Sequence, residues 1–402
     1  MGEWKESEIG SIPNHWNLSP FHGIIAGGAV SYGIVQPGTH QEVDSVPIIR
    51  INNIKNGQIV PEDVMKVSQT VEAKYRRTRL EGGELIVTVV GSVGDALIVP
   101  EKYKGWNVAR AVSVSRVLEG FDPHFIKYCF STDQIKHQLY GQTNDTVQPT
   151  LNLSSLKEIL FPIPPLPEQK AIAEVLSSLD DKIDLLHRQN KTIESLAQTL
   201  FRQWFIEEAD DGWKPGMLSD VSNNIRKSVS IAGIPDEVKY VALEHIEKRH
   251  IALYSCGEGK TVASNKSEFQ RNDILFGKLR PYFHKVSFAP FSGICSTDIL
   301  VIRPKEEIFF PYCLFAYFQD EVVDYSDLAS EGTRMPRTNW EILGNYPIAI
   351  PDRETLRRFN EVALPSIEKI ESNVAQIASL GTMRDALLPK LMSGEALTGI
   401  RN

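Results

Sequence analysis

One succession of turns, strands and prolines runs through the first half of this chain and runs again through the second. A repeat of that length implies two related globular units, because each copy has to bury its own apolar faces. Each copy opens on a strand-like run that ends in a polar turn, Val46-Pro47-Ile48-Ile49-Arg50-Ile51-Asn52-Asn53-Ile54 and Val238-Lys239-Tyr240-Val241-Ala242-Leu243-Glu244-His245-Ile246. A turn residue and an acid then lead into a β-prone stretch, Gly83-Glu84-Leu85-Ile86-Val87 and Asn272-Asp273-Ile274-Leu275-Phe276. Next comes a proline-opened helix, predicted over Pro123 to Tyr140 and Pro311 to Tyr325. The closing segments match best. Thr146-Val147-Gln148-Pro149 corresponds to Thr333-Arg334-Met335-Pro336, and each is followed by a predicted short helix with a capping box, Ser155 to Glu158 or Thr338 to Glu341. Phe161-Pro162-Ile163 then matches Tyr346-Pro347-Ile348.

After Pro167 and after Pro351 the pattern changes to a long helical one. Leu176, Leu179, Ile183, Leu186, Asn190, Ile193, Ala197, Leu200 and Trp204 alternate three and four apart, which is the seam of a coiled coil. From Glu168 to Phe205 this makes a rod of roughly 55 Å at 1.5 Å per residue. Such a rod needs a partner, and the second stripe offers one: Ile367, Ile370, Val374, Ile377, Leu380, Leu387 and Leu391, interrupted by Pro365 and Gly381. Asn190 in the seam either fixes register as a buried polar residue or faces solvent at a frayed position. The expected fold is mixed α/β (α+β), with two similar domains separated by an antiparallel pair of long coiled-coil helices in a pseudo-twofold repeat. The expected boundaries are 1–165, 166–208, 209–350 and 351–402.

Two related domains held apart by paired rods make a caliper, and duplex DNA is a ligand for which separation matters, since half-sites on one face lie about 34 Å apart per turn. The net charge of −8 argues superficially against phosphate contact. Its distribution weakens the objection: Glu168 to Asp210 holds nine acids against five bases, whereas Lys74-Tyr75-Arg76-Arg77-Thr78-Arg79 is a basic cluster around an aromatic ring. Base reading calls for guanidinium, ammonium or amide donors. In the first half these are Lys74, Arg76, Arg77, Arg79 and Arg110 with the loop Gln142-Thr143-Asn144; in the second they are Lys278, Arg280, Tyr282, Arg334 and Arg337. For each one taken singly, a solvated surface residue is the bland alternative.

Catalytic patterns are hard to find. Ile163-Pro164-Pro165-Leu166 lacks the polar and aromatic members with which an adenine methyltransferase holds its target amine. Neither a phosphate-binding Gly-Lys-Ser/Thr loop nor a GxGxxG fingerprint occurs, and Gly91-Ser92-Val93-Gly94 reads as a hairpin turn. Asp236 with Glu258-Gly259-Lys260, and Glu72-Ala73-Lys74, partly mimic a metal-dependent nuclease, but the glycines beside Glu258 favour a turn over a core strand. His245 and His250 are five apart, which does not align two ligands, so no metal is expected. The four cysteines show no CxxC pair and read as free packing thiols in a reducing compartment. The polar, acidic start and the absence of a long apolar run lead to the expectation of a cytoplasmic protein without membrane contact.

Three runs carry a resemblance. Pro164-Pro165-Leu166-Pro167-Glu168-Gln169-Lys170-Ala171-Ile172-Ala173 leads into the heptad helix and Phe201-Arg202-Gln203-Trp204-Phe205. Asn272-Asp273-Ile274-Leu275-Phe276-Gly277-Lys278-Leu279-Arg280-Pro281 is the second, and Leu387-Leu388-Pro389-Lys390-Leu391-Met392-Ser393-Gly394-Glu395 the third. Together the chain resembles the specificity subunits of type I restriction-modification systems. The resemblance implies two DNA target-recognition domains reading a bipartite, asymmetric double-stranded target and no active site or cofactor in this chain. It also implies two modification (methyltransferase) subunits that use S-adenosylmethionine to methylate adenine, and optional restriction subunits that use ATP and magnesium. One departure is that the second connector reads Pro351-Asp352-Arg353-Glu354 where the first reads Pro-Glu-Gln. A stand-alone metal-dependent nuclease and an orphan nucleic-acid-binding protein are the alternatives.

Overall fold

The computed structural model describes residues 4–55, 57–143, 149–328 and 335–395. The chain divides into two compact units, 1–180 with 382–402 and 181–381.

In the first unit an antiparallel sheet runs in the order Ala96–Ile98, Leu85–Thr88, Val112–Ser115, Ser31–Tyr32. Its central strand is buried on both faces, which is why it reads as an unbroken apolar run. Leu85 and Val87 face one core with Trp16, Phe125 and Leu176, and Ile86 faces another with Ile49, Leu97 and Val114. A second sheet places Ser45–Ile49 between Asn107–Val108, parallel to it, and Met65–Ser68, antiparallel.

The second unit follows the same plan. Its antiparallel sheet runs Val286–Phe288, Ile274–Gly277, Ile299–Pro304, Ser222–Asn224, with Ile274 and Phe276 facing one core and Leu275 the other. Lys239–Val241 pairs in parallel with Gly293–Cys295 and antiparallel with Gly257–Glu258. The polar turns agree as well: the Asn53 side chain accepts the Arg50 N–H at 3.1 Å, and His245 Nδ1 accepts the Ala242 N–H at 2.9 Å. The acid before each central strand is buried and salt-bridged. Glu84 receives Arg116 at 2.9 Å, and Asp273 receives Arg303 through two bonds of 2.7 Å. The closing Pro-Ile segments form strands in both units, Leu160–Ile163 on Asn17–Pro20 and Pro347–Ile350 on Lys214–Met217.

The long helices span Leu166–Arg202, continued by a π turn over Gln203–Glu207, and Arg353–Met392. Contrary to expectation, Pro365 and Gly381 do not interrupt the second. Pro365 lies on the exposed face, where solvent can satisfy the carbonyl that loses its donor, and Gly381 has open space beside it. Within the first unit, Leu176 shares a core with Leu391, Met392 and the half-buried Leu387, while Arg384 bonds Asp180 at 3.0 Å. Within the second, Ile193, Ala197, Leu200 and Trp204 pack with Ile367, Ile370 and Val374, and Phe359 lies against Trp204 at 6.0 Å. Leu179, Ile183 and Ile377 are half-buried and Leu186 is buried. Asn190 takes the buried alternative: its carbonyl accepts from Asn373 of the other helix at 2.8 Å and its amide donates to the Tyr254 hydroxyl at 3.2 Å.

Three further expectations need correcting. Each proline-opened helix is two helices, Pro123–Cys129 with Asp133–Gly141, and Phe310–Tyr317 with Asp320–Leu328; in the first pair Thr132 caps the new start by accepting from Ile135 N. The capping boxes do not form. Their short helices are Leu153–Glu158 and Trp340–Leu343, with Asn152 and Asn339 at the caps, and Asn339 accepts the Ile342 N–H at 2.9 Å. Cys129, Cys295 and Cys313 are buried packing thiols, but Cys256 is exposed.

Candidate nucleic-acid interface

In the second unit the hairpin after the central strand carries the densest set of predicted contacts. Lys278 and Leu279 leave the sheet edge, and their backbone pairs with Arg337 and Thr338: Thr338 N donates to Lys278 O at 3.1 Å, and Leu279 bridges to Arg337. Arg280 N then donates to Pro336 O at 2.8 Å. A single 3₁₀ turn, Pro281–Phe283, follows between two residues in the left-handed region, Arg280 at φ 52° and His284 at φ 49°. This geometry turns Tyr282 outward, half exposed, while Phe283 packs beneath it at 4.7 Å.

Charges the sequence reading did not single out surround this turn. Lys248 Nζ sits 4.0 Å from the Phe283 ring centroid, and Arg249 bonds Asp320 at 2.9 Å. Asp320 also faces His284 at 3.1 Å. Burial, with the Arg249 charge second, lowers the pKa of His284; burial and then Lys248 lower that of Lys285. The Lys248-Arg249-His250 triplet was the available signal. Its position beside a turn more than 30 residues away was not, because it is created by a long-range backbone bond, Arg249 N to His284 O at 2.9 Å. Arg337 is more exposed than its partner Asp298, 3.3 Å away.

In the first unit, the Lys74 cluster forms a 3₁₀ segment, Ala73–Thr78, lining an open recess of about 390 Å³ with Ser31 and Tyr32. Lys74, Arg76 and Arg77 are exposed there. Arg79 is not free: its guanidinium grips Glu72 in a two-bond ion pair, Nε to Oε1 being 2.8 Å. Glu72 is buried and also accepts from Asn107 at 3.1 Å; the Arg79 bond, outweighing burial, lowers its pKa. Arg79 therefore holds the basic segment in place. Arg110 is exposed in the turn between Asn107–Val108 and Val112–Ser115. Gln142 and Thr143 end the helix Asp133–Gly141, with Gln142 exposed. Asn144 and Arg334 lie outside the described residues.

The Pro-Glu-Gln connector has structural work to do. Glu168 accepts the Trp16 indole N–H at 2.8 Å and lies 2.9 Å from His15, and Gln169, buried, accepts the Asp122 N–H at 2.9 Å. The divergent second connector keeps the first of these contacts, because Asp352 accepts the Trp213 indole N–H at 3.0 Å while also accepting two backbone N–H groups that open its helix.

The nuclease mimics do not assemble. Glu258 is exposed on a two-residue edge strand, paired with Lys260, and Glu72 is committed to Arg79. His245 bonds its own turn, whereas His250 bonds the buried Glu194 at 3.0 Å. Among the described residues, no group of three or more His, Cys, Asp or Glu side chains could hold a metal ion, and no helix is long and apolar enough to cross a membrane.

Comparison with known proteins gives a consistent result. Residues 34–195 match the family described as the type I restriction modification DNA specificity domain. The type I restriction enzyme MjaIX specificity subunit of Methanocaldococcus jannaschii is 26% identical over 442 aligned positions, covering 98% of this chain and 96% of that protein. The EcoBI specificity subunit of Escherichia coli is 27% identical over 217 positions, covering 52% of this chain and 45% of that one. In fold, the crystal structure of a type I restriction-modification S subunit from M. genitalium matches with a TM-score of 0.56 at 15% identity, over 94% of this chain and 96% of that one.

Proposed function

We propose, from its match to the type I restriction modification DNA specificity domain over residues 34–195 and its full-length similarity to a type I specificity subunit, that the chain is the sequence-specific DNA-binding subunit of such a complex. Each unit reads one part of a bipartite target, and the helical connectors set the unread spacer between the parts. Chemistry belongs to the partners: two modification subunits supply adenine methylation with S-adenosylmethionine, and restriction subunits, where present, supply ATP- and magnesium-dependent cleavage. The chain itself recognises and positions.

The observation that carries this reading is the duplication of one backbone plan with different exposed polar residues on each copy. On that shared plan the first unit exposes Lys74, Arg76 and Arg77 on the segment after Met65–Ser68, and the second carries half-buried Arg280 and exposed Tyr282 on the hairpin after Ile274–Gly277. A shared scaffold with divergent surfaces suits two different base sequences, and a homodimer of one surface would read only a palindrome. Arg79 is assigned a supporting rather than a base-reading place because Glu72 occupies its guanidinium.

The test is to assemble the full chain with a modification subunit and methylate a random-sequence DNA library. Sequencing the modified adenines should return two short unlike motifs at fixed separation. A single motif, or methylation without sequence preference, would refute the reading. Lengthening both long helices by one turn should lengthen the spacer and leave both motifs unchanged.

A further inference from the structure

The hairpin that follows the central strand is the same object in both units, although its tips, Gly91-Ser92-Val93-Gly94 and Arg280-Pro281-Tyr282-Phe283-His284, share no sequence. In the first unit Leu151 N donates to Val89 O at 2.9 Å, Val90 bridges to Thr150, and Gly91 N donates to Pro149 O at 2.9 Å. In the second, Thr338 N donates to Lys278 O, Leu279 bridges to Arg337, and Arg280 N donates to Pro336 O. Step for step, Arg280 occupies the place of Gly91. Both are left-handed, at φ 52° and φ 73°. Glycine adopts that backbone freely; an arginine does so against the crowding of its own Cβ.

Arg280 carries a second cost that Gly91 avoids. Its Nε is buried with no hydrogen-bond partner among the described residues, while the guanidinium leans over Phe283 at 5.9 Å. Folding alone would favour glycine at this socket on both counts. A side chain kept where the backbone resists it and part of its hydrogen-bonding capacity goes unused points to a demand from a ligand. The turn it starts displays the exposed Tyr282 and is bordered by the cations Lys248 and Arg249.

We propose that Arg280 is a specificity-determining residue of the second unit, a base-edge reader of the guanine class, mounted with Tyr282 on a socket that the first unit leaves empty of side chain at Gly91. This rests on the DNA-binding reading above. It also divides the labour between the units: the first reads from the Ala73–Thr78 segment around its recess, the second from its hairpin tip. A guanidinium meets guanine O6 and N7 through two parallel bonds, which a point charge cannot reproduce.

The experiment uses the full chain assembled with its modification subunit, comparing wild type, Arg280→Gly and Arg280→Lys. Methylation of a library randomised in each motif in turn gives specificity, and thermal unfolding gives stability. Arg280→Gly should lower discrimination roughly ten- to a hundredfold at one base pair of one motif, with the other motif intact and a melting temperature no lower than wild type. Arg280→Lys should lose the same discrimination. Equal weakening on all sequences would make Arg280 a phosphate contact and overturn the proposal. So would unchanged specificity in Arg280→Gly, full specificity in Arg280→Lys, or a lowered melting temperature for Arg280→Gly. Failure of the wild-type complex to show any sequence preference would instead remove the DNA-reading function beneath it.

Discussion

The two units agree in the interior and differ where the interior meets solvent. Each places an acid ahead of a doubly buried strand and answers it with an arginine, Glu84 with Arg116 and Asp273 with Arg303. Each ties a tryptophan indole to an acid at the start of its long helix, Trp16 to Glu168 and Trp213 to Asp352. The hairpin after the strand then ends in Gly91-Ser92-Val93-Gly94 in one and in Arg280-Pro281-Tyr282-Phe283-His284 in the other. Hydrogen-bonded positions that any side chain can serve are preserved, and the exposed tips are free to vary.

The largest effect should come from the tryptophans, where one contact is made at two depths. Trp16 is fully buried and Trp213 half-buried. Trp16→Ala should cost about 3–5 kcal/mol and Trp213→Ala about half as much, because the cavity term scales with what surrounds the ring. Denaturant unfolding measures both; equal costs would mean that the indole bond, not the packing, dominates.

The helix pair supplies the next comparison. In the first unit it is tied by Arg384 on Asp180, which also accepts from the Tyr128 hydroxyl at 2.7 Å. In the second it is tied by the buried amides of Asn190 and Asn373. Asn190→Ala strands the Asn373 amide and should cost about 1–3 kcal/mol, whereas replacing both by leucine should restore most of it. If the double variant stays as unstable as the single one, the pair packs by shape and not by hydrogen bonding. Asp273→Asn should likewise cost more than Glu84→Gln, about 2 against about 1 kcal/mol, because Arg303 holds Asp273 with two bonds and is less exposed than Arg116. Equal unfolding midpoints for the two variants would contradict the ranking.

What the sequence made legible was local. The β-prone apolar runs, prolines at element starts and the heptad spacing of Leu176 to Trp204 are one-dimensional signals, and each has its counterpart in the fold. What stayed hidden depended on distant partners. Nothing near Asn190 says whether Asn373 will meet it, and nothing near Arg79 says that Glu72 will be buried and take its charge. The split of each proline-opened helix was missed because apolar spacing continues across the break, where Thr132 starts a new helix by capping. The capping boxes failed because Asn152 and Asn339, three residues before Ser155 and directly after Thr338, take the cap position instead. Of the contact candidates, Arg76, Arg77 and Tyr282 are exposed, and that Gly91 and Arg280 start the same left-handed socket appears only once the backbone bonds to Pro149 and Pro336 are seen.

That equivalence gives the smallest predicted effect and the sharpest sign. Among the described residues a Cβ built on Gly91 would meet only Ile51 Cδ1, at 3.5 Å, so alanine there fits against them and is opposed by the left-handed backbone. Gly91→Ala should therefore cost about 1 kcal/mol, and Arg280→Gly at the matching position should be neutral or stabilising, since glycine's larger unfolded-state entropy offsets part of the strain it relieves. Opposite signs in the two unfolding midpoints would establish that the sockets share one backbone demand, met by composition in the first unit and resisted in the second. The same sign in both would mean that the surroundings of Arg280 have adapted to it, and that the two hairpins share a hydrogen-bond pattern without sharing its energetics.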